Sequence, residues 1–270
     1  MCAGADQIIK SMKIACLECF SPGNSEADAL ATAIYLARSG LDVSIIGTDN
    51  ESNSAATKVL LLDEVVNVDL LSSVPADQFF SEENLSQLQL SLKLFDYIYV
   101  TGKIFSLINE KVRSSLLSEL KELRAVGAKV VFDCNHSAAS WSDEGLAANT
   151  YTEILKITDI SLPNFLEESV LFGDKDVGEL IARHHGLGVQ EIALKNGTKP
   201  NWLSTKPEKP PKEFPIENIE QPLDEGGAGN AFNAAYIATR LSGKTYCGSI
   251  KQGQILAAQV VLNSGAILPK

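Results

Sequence analysis

Two observations predict an α/β fold with a mostly parallel sheet covered by helices. Strand-like and helix-like segments alternate along the chain, and the strand-like runs are almost continuously apolar, as buried parallel strands are. The 270 residues suit one large α/β domain or two small ones, with ample core in either case.

The elements follow in order. Lys13–Phe20 reads as a buried strand, and Ser25–Arg38 as a helix opened by Ser25 and Asp28 at capping-box spacing. Val43–Gly47 is a short strand ended by glycine, and Asp96–Thr101 is a strand followed by Gly102. Asn109–Arg124 is amphipathic, with Val112, Leu116, Leu117 and Leu120 on one face. Lys129–Phe132 is a strand ending in Asp133. Glu153–Leu171 reads as mostly helical, broken by the strand-like Ile157–Leu162 and by Pro163. Glu191–Lys195 is a strand that stops at Asn196-Gly197. Thr198–Glu213, with four prolines and four lysines, reads as a loop. Ala231–Leu241 and Gln252–Leu262 read as two apolar helices. Ligands of such sheets bind outside the carboxyl ends of the strands. This singles out Gly102, Asp133 to Asn135, Asn164, Lys195 to Gly197 and the loop before Ala231.

The formal net charge of −11 argues against electrostatic binding of nucleic acid, and the densest basic stretch, Lys206 to Lys212, is broken by prolines. No run approaches the roughly 18 apolar residues of a membrane span. The first dozen residues lack the apolar centre of a signal peptide. Five irregularly spaced cysteines suggest free thiols in a reducing intracellular compartment, cytoplasm or organelle matrix. Cys16 and Cys19, three apart on a strand, fall on opposite faces and read as buried thiols. None of the three histidines has a credible Ser or Cys partner for a hydrolase triad. Neither a Walker-type phosphate loop nor a dinucleotide fingerprint is present.

The richest stretch runs from Asp224 to Asn233 (DEGGAGNAFN), where small residues crowd the start of an apolar helix. Backbone N–H groups there lack helical partners and let an anion approach; a plain glycine turn would look the same. The stretch resembles the D-x-x-G-A-G-D-x-F-N signature of the ribokinase-like (PfkB) carbohydrate kinases, matching at Asp224, Gly227, Ala228, Gly229, Phe232 and Asn233. Further segments resemble the 2-keto-3-deoxygluconate kinases within that family. They are Phe95–Gly102, Phe132–His136 with Trp141, Leu162–Gly173, Ala193–Gly197 and Gly265–Pro269. Tyr35–Arg38 and Gly47–Asp49 are similar to the N-terminal part of those enzymes. The resemblance implies a ribokinase-like three-layer αβα sandwich spanning 13–270 as one domain, after an N-terminal extension of 1–12.

It also implies a site. Gly227, Ala228 and Gly229 would form the anion hole, and Asn164 and Glu167 would organise Mg²⁺ through water. Lys195, Gly197 and Asp224 would serve the nucleotide, and Asp28, Asp133 and Asn135 the sugar. Asn164 also reads as a helix N-cap, Asp224 as a turn aspartate and Lys195 as a solvated strand-end lysine.

Several positions depart from the family pattern. Asn230 stands where the family has its aspartate base, and an amide cannot take the substrate proton. Ser137 replaces an arginine that would pair with a substrate carboxylate, and Ala31 an asparagine that would hold sugar hydroxyls. The interval Asp49–Phe95 looks too short for the family's β lid, which is expected to be lost or reduced. The expectation is therefore a catalytically impaired relative, with ATP and Mg²⁺ as cofactors if activity survives and none otherwise. It would join a larger assembly or a homodimer through an uncovered sheet edge. The alternative is an active ATP-dependent sugar or sugar-acid kinase with Asp133 or Asp28 as substitute base.

Overall fold

The computed structural model describes residues 12–20, 28–49, 67–72, 74–207, 209–216, 219 and 222–269. Its strands are β1 (Lys13–Phe20), β2 (Asp42–Asp49), β3 (Asn67–Ser72), β4 (Tyr97–Thr101) and β5 (Lys129–Asp133), then β6 (Ile160–Ser161), β7 (Glu191–Leu194), β8 (Asn201–Ser204) and β9 (Lys212–Phe214). They form one sheet in the order β3-β2-β1-β4-β5-β6-β7-β8-β9. Pairing is parallel from β3 to β7 and antiparallel from β7 to β9. The chain builds β1 to β3 in one direction, then returns to lay β4 on the other side of β1. Strand order thus reverses between β1 and β4, the place where open α/β sheets form a ligand crevice.

One face carries α1 (Asp28–Arg38), α9 (Ala228–Leu241) and α10 (Tyr246–Val261), which bury Ile34, Tyr236 and Ile250 against Ile14, Cys16 and Tyr99. The other carries α2 (Ala76–Phe79), α3 (Glu82–Leu92), α4 (Gly102–Ser106), α5 (Glu110–Ala125), α6 (Glu144–Leu155), α7 (Phe165–Phe172) and α8 (Val177–Gly186). There Leu88, Phe105, Leu116, Ile154 and Leu180 cover Leu17, Cys19 and Phe132. Two separate apolar layers around a central sheet make the three-layer αβα sandwich. Cys16 and Cys19 enter opposite layers, as a spacing of three dictates. Burial pushes the Cys19 thiol up to about 12, with Glu18 adding to it, so it is an inert core side chain.

Two readings need correction, the loop at Thr198–Glu213 and the start of the helix at Ala231. Thr198–Glu213 is not simply a loop, because β8 and β9 form within it: Asn201–Ser204 carry an apolar pair, Trp202 and Leu203, that outweighs the flanking prolines. Part of Asp49–Phe95 is filled by β3, α2 and α3, which belong to the main sandwich. Residues 50–66, the rest of the interval expected to lack a lid, lie outside the described residues, as do Ser25 to Ala27. The predicted helix at Ala231 starts at Ala228, inside the glycine-rich loop, which puts Gly229 and Asn230 in its first turn. Among the described residues no helix is long and apolar enough to cross a membrane.

Candidate functional site

A buried polar cluster sits at the carboxyl ends of the central strands. Alternation along β4 and β5 turns Tyr99 and Asp133 to the same face, and α9 lays Asn233 over them. One Asp133 carboxylate oxygen accepts from Lys195 Nζ at 3.0 Å. The other accepts from Asn233 Nδ2 at 2.8 Å and Tyr99 Oη at 3.1 Å. Lys195 Nζ also donates to Asn233 Oδ1 at 3.0 Å, closing the ring. Asn233 is fully buried and Asp133 only 3% exposed, so the Lys195–Asp133 pair is compensated by its hydrogen bonds rather than by water. Burial, reinforced by Asp133, pushes the Tyr99 phenol well above its ordinary range and keeps it a donor. Lys195 is therefore no solvated strand-end lysine, and the Asp133 carboxylate is engaged within the protein.

Above this cluster lies the glycine turn. Gly227 caps α9 with φ +77°, and no side chain caps the helix. A Cβ on Gly227 would come within 2.4 Å of the Ala266 Cβ, so both its backbone conformation and its surroundings require glycine. Asp224 holds the turn: Oδ1 accepts from Gly226 N at 2.8 Å and Oδ2 from Gly265 N at 2.9 Å. These two amides depress its carboxyl below the ordinary value. Gly229 is exposed, and Lys195 Nζ lies 3.8 Å from where its Cβ would stand. Asn230 is half-buried, and its carbonyl faces the Thr32 hydroxyl of α1 at 3.4 Å. Asp28 is the first residue of α1. That start is anchored by the buried Glu18, which accepts from Ala29 N at 2.7 Å.

A second helix start faces the same region. Asn164 caps α7, its side chain accepting from Leu166 N at 3.0 Å. Phe165 N donates to Lys195 O at 2.9 Å and so ties α7 to the end of β7. Glu167 accepts from His136 N at 3.1 Å. Its burial, against the opposing pull of Lys195, raises its carboxyl to about 7. Asn135 holds φ +38°, a left-handed bend that asparagine tolerates and that swings the chain into this contact. His136 Nε2 lies 3.2 Å from Glu144 Oε2. Gly197, at φ +60°, sits against Leu166. The next carboxylate, Glu168, is 1% exposed and meets His184 Nε2 at 2.7 Å and Arg183 Nη2 at 2.8 Å. Burial alone would raise its carboxyl, but His184 and Arg183 outweigh it and hold it near 2. His184 is fully buried as the hydrogen-bond partner of Glu168.

The first turn of α9 fits a phosphate: its leading N–H groups have neither a helical acceptor nor a capping side chain, and Lys195 lies beneath. Among the described residues no three His, Cys, Asp or Glu side chains converge on a metal-sized point. Sequence reasoning quoted Tyr99 and Asn233 only as matched motif letters. Part of their signal was present: Tyr99 is the central hydroxyl of the strand Tyr97–Thr101, and Asn233 lies one turn into the helix after the glycines.

Residues 23–270 match the model of the pfkB family carbohydrate kinases. The 2-dehydro-3-deoxygluconokinase of Dickeya dadantii is 34% identical over 182 residues, 66% of this chain and 58% of that protein. The Escherichia coli K12 enzyme of the same name is 34% identical over 180 residues, 65% of this chain and 57% of that protein. The matches thus span less than two thirds of these relatives' length. In fold, the chain is similar to a putative ribokinase II from E. coli in complex with ATP and Mg²⁺, with TM-score 0.78, 16% identity and coverage of 95% of this chain and 94% of that one. It is likewise similar to a Vibrio cholerae fructokinase in fructose-, ADP- and calcium-bound form, with TM-score 0.77, 17% identity and 95% of each chain covered. The family model, the curated relatives and the three-layer sandwich with its glycine turn agree: the chain belongs to the pfkB family of carbohydrate kinases.

Proposed function

We propose that this chain is a catalytically impaired sugar-acid kinase homologue, which keeps the phosphate end of the site and works by binding rather than turnover. One observation carries the reading. Asn230 occupies the first turn of α9 where the family pattern has its base, while the Asp133 carboxylate is held by Lys195, Asn233 and Tyr99. A kinase needs a carboxylate that takes the acceptor hydroxyl's proton, and loss of a general base costs about 10²–10⁴ in rate. Ser137 in place of the arginine removes the bidentate partner of a substrate carboxylate. ATP with Mg²⁺ is the ligand that the glycine turn and Lys195 suit.

A place in a larger assembly or a homodimer is consistent with the sheet's two edges. The β9 edge is short, charged at Lys212 and Glu213, and flanked by Pro210, Pro211 and Pro215, which discourages strand pairing. The opposite edge, β3, carries no proline. A coupled phosphoryl-transfer assay with 2-keto-3-deoxygluconate tests the reading. Wild type and Asn230→Asp are both expected to stay near background, because the acceptor contacts differ as well. Steady turnover by the wild-type chain would overturn it, whereas turnover restored by Asn230→Asp would confine the impairment to the missing base.

A further inference from the structure

The C-terminal segment touches both halves of the site. On one side it is bound to α1. The Tyr35 hydroxyl donates to Ala266 O at 3.0 Å and accepts from Leu268 N at 2.9 Å, while Arg38 Nη1 donates to Leu268 O at 2.6 Å. On the other side it is bound to the glycine turn. Gly265 N donates to the same Asp224 carboxylate that holds Gly226 N. Ala266 lies so close to Gly227 that a Cβ there would meet the Ala266 Cα at 2.6 Å. Four consecutive residues therefore fill the gap between the helix that starts at Asp28 and the turn that starts α9.

We infer that Gly265–Leu268 is a strap that positions the Gly227–Gly229 turn and ties it to α1, with Tyr35 and Ala266 as its positioning residues. Neither residue would touch a ligand. The turn has no capping side chain of its own, so its conformation depends on Asp224 on one side and Ala266 on the other. α1 also reaches the turn directly, through Thr32 and the Asn230 carbonyl. Any shift of α1, where the acceptor end of the site begins, is then transmitted to the amides that suit a phosphate. Hydrogen bonds and packed backbone carry it, and no new contact is needed.

Amide hydrogen exchange of the full chain tests this without a ligand. Tyr35→Phe removes the hydroxyl and both its hydrogen bonds but keeps the ring. It is expected to speed exchange over 224–230 by roughly tenfold. Asp143→Ala, which removes the N-cap of α6 on the far face, serves as a control for general destabilisation and should leave 224–230 unchanged. Ala266→Gly, which keeps the hydrogen bonds and removes the methyl contact, should act in the same direction more weakly, and it replaces Tyr35→Phe if that variant does not fold. Faster exchange confined to 265–268, with 224–230 as in wild type, would overturn the strap.

A second readout rests on the proposed phosphate reading. ADP affinity should fall in Tyr35→Phe but not in Asp143→Ala. Unchanged ADP affinity in Tyr35→Phe would overturn transmission to the turn. Absence of ADP binding in wild type would overturn the phosphate reading alone and leave the exchange result to decide on the strap.

Discussion

Two helix starts face the carboxyl end of the sheet, and they are built in opposite ways. α7 is capped by Asn164 and carries Glu167 and Glu168 in its first turn. Its amides and dipole are already answered by groups of its own. α9 is capped by Gly227, has no capping side chain and no acidic residue in its first turn. It offers backbone donors and nothing to satisfy them. Lys195 stands between the two, its carbonyl bonded to Phe165 of α7 and its ammonium beneath Gly229 of α9. On the proposed reading the contrast would separate two roles: a phosphate at the uncapped start of α9, and the carboxylates at the start of α7. The family aspartate would add a negative charge to α9, and Asn230 leaves it out.

This contrast can be broken in a graded way. The largest effect is expected at Lys195→Met. It strips Asp133 of its cation inside a buried cluster and should cost about 3–5 kcal/mol in urea denaturation. An effect under about 1 kcal/mol would mean that the cluster is hydrated.

Next comes the acid limb of α7. Glu168 is held near 2 in the folded chain, below the ordinary 4.5. Its ionised form therefore favours folding above the ordinary value, by roughly 3 kcal/mol. That stabilisation is lost as pH falls from about 4.5 toward 2. Glu168→Gln should flatten this part of the stability–pH curve. Glu167 works in the opposite sense. Raised to about 7, it favours the folded chain when protonated, and stability from it declines as pH rises from about 4.5 to 7.

At α9, Gly227→Ala should cost about 1–3 kcal/mol for the positive φ, together with displacement of Ala266. Phosphate affinity should fall with it. The smallest effect is expected at Asn164→Ala, about 1 kcal/mol for a lost N-cap, read as a lowered melting temperature.

How much of this was legible in the sequence differs along the chain. The parallel core was, because β1, β4 and β5 are mostly apolar runs, with Glu18 the one charged residue between their ends, ended or followed by polar or glycine residues. The glycine turn was legible because its residue types are dictated by backbone geometry. β8 and β9 were not, since strands of four and three residues among prolines leave no period to read. Lys195 shows the limit best. Its place at a strand end could be read locally, but its partners lie 62 residues before it and 38 after it, and only the fold brings them together. The same holds for Glu168, whose acidity is set by His184 and Arg183 from the next helix.

The central claim is binding without turnover at α9. Calorimetric titration of the full chain with Mg·ATP and Mg·ADP, followed by assay of the same sample for phosphoryl transfer, tests it most directly. The account predicts saturable binding of both nucleotides, weakened in Gly227→Ala, with transfer at background. Failure of either nucleotide to bind up to millimolar concentration would contradict it, as would steady turnover by the wild-type chain.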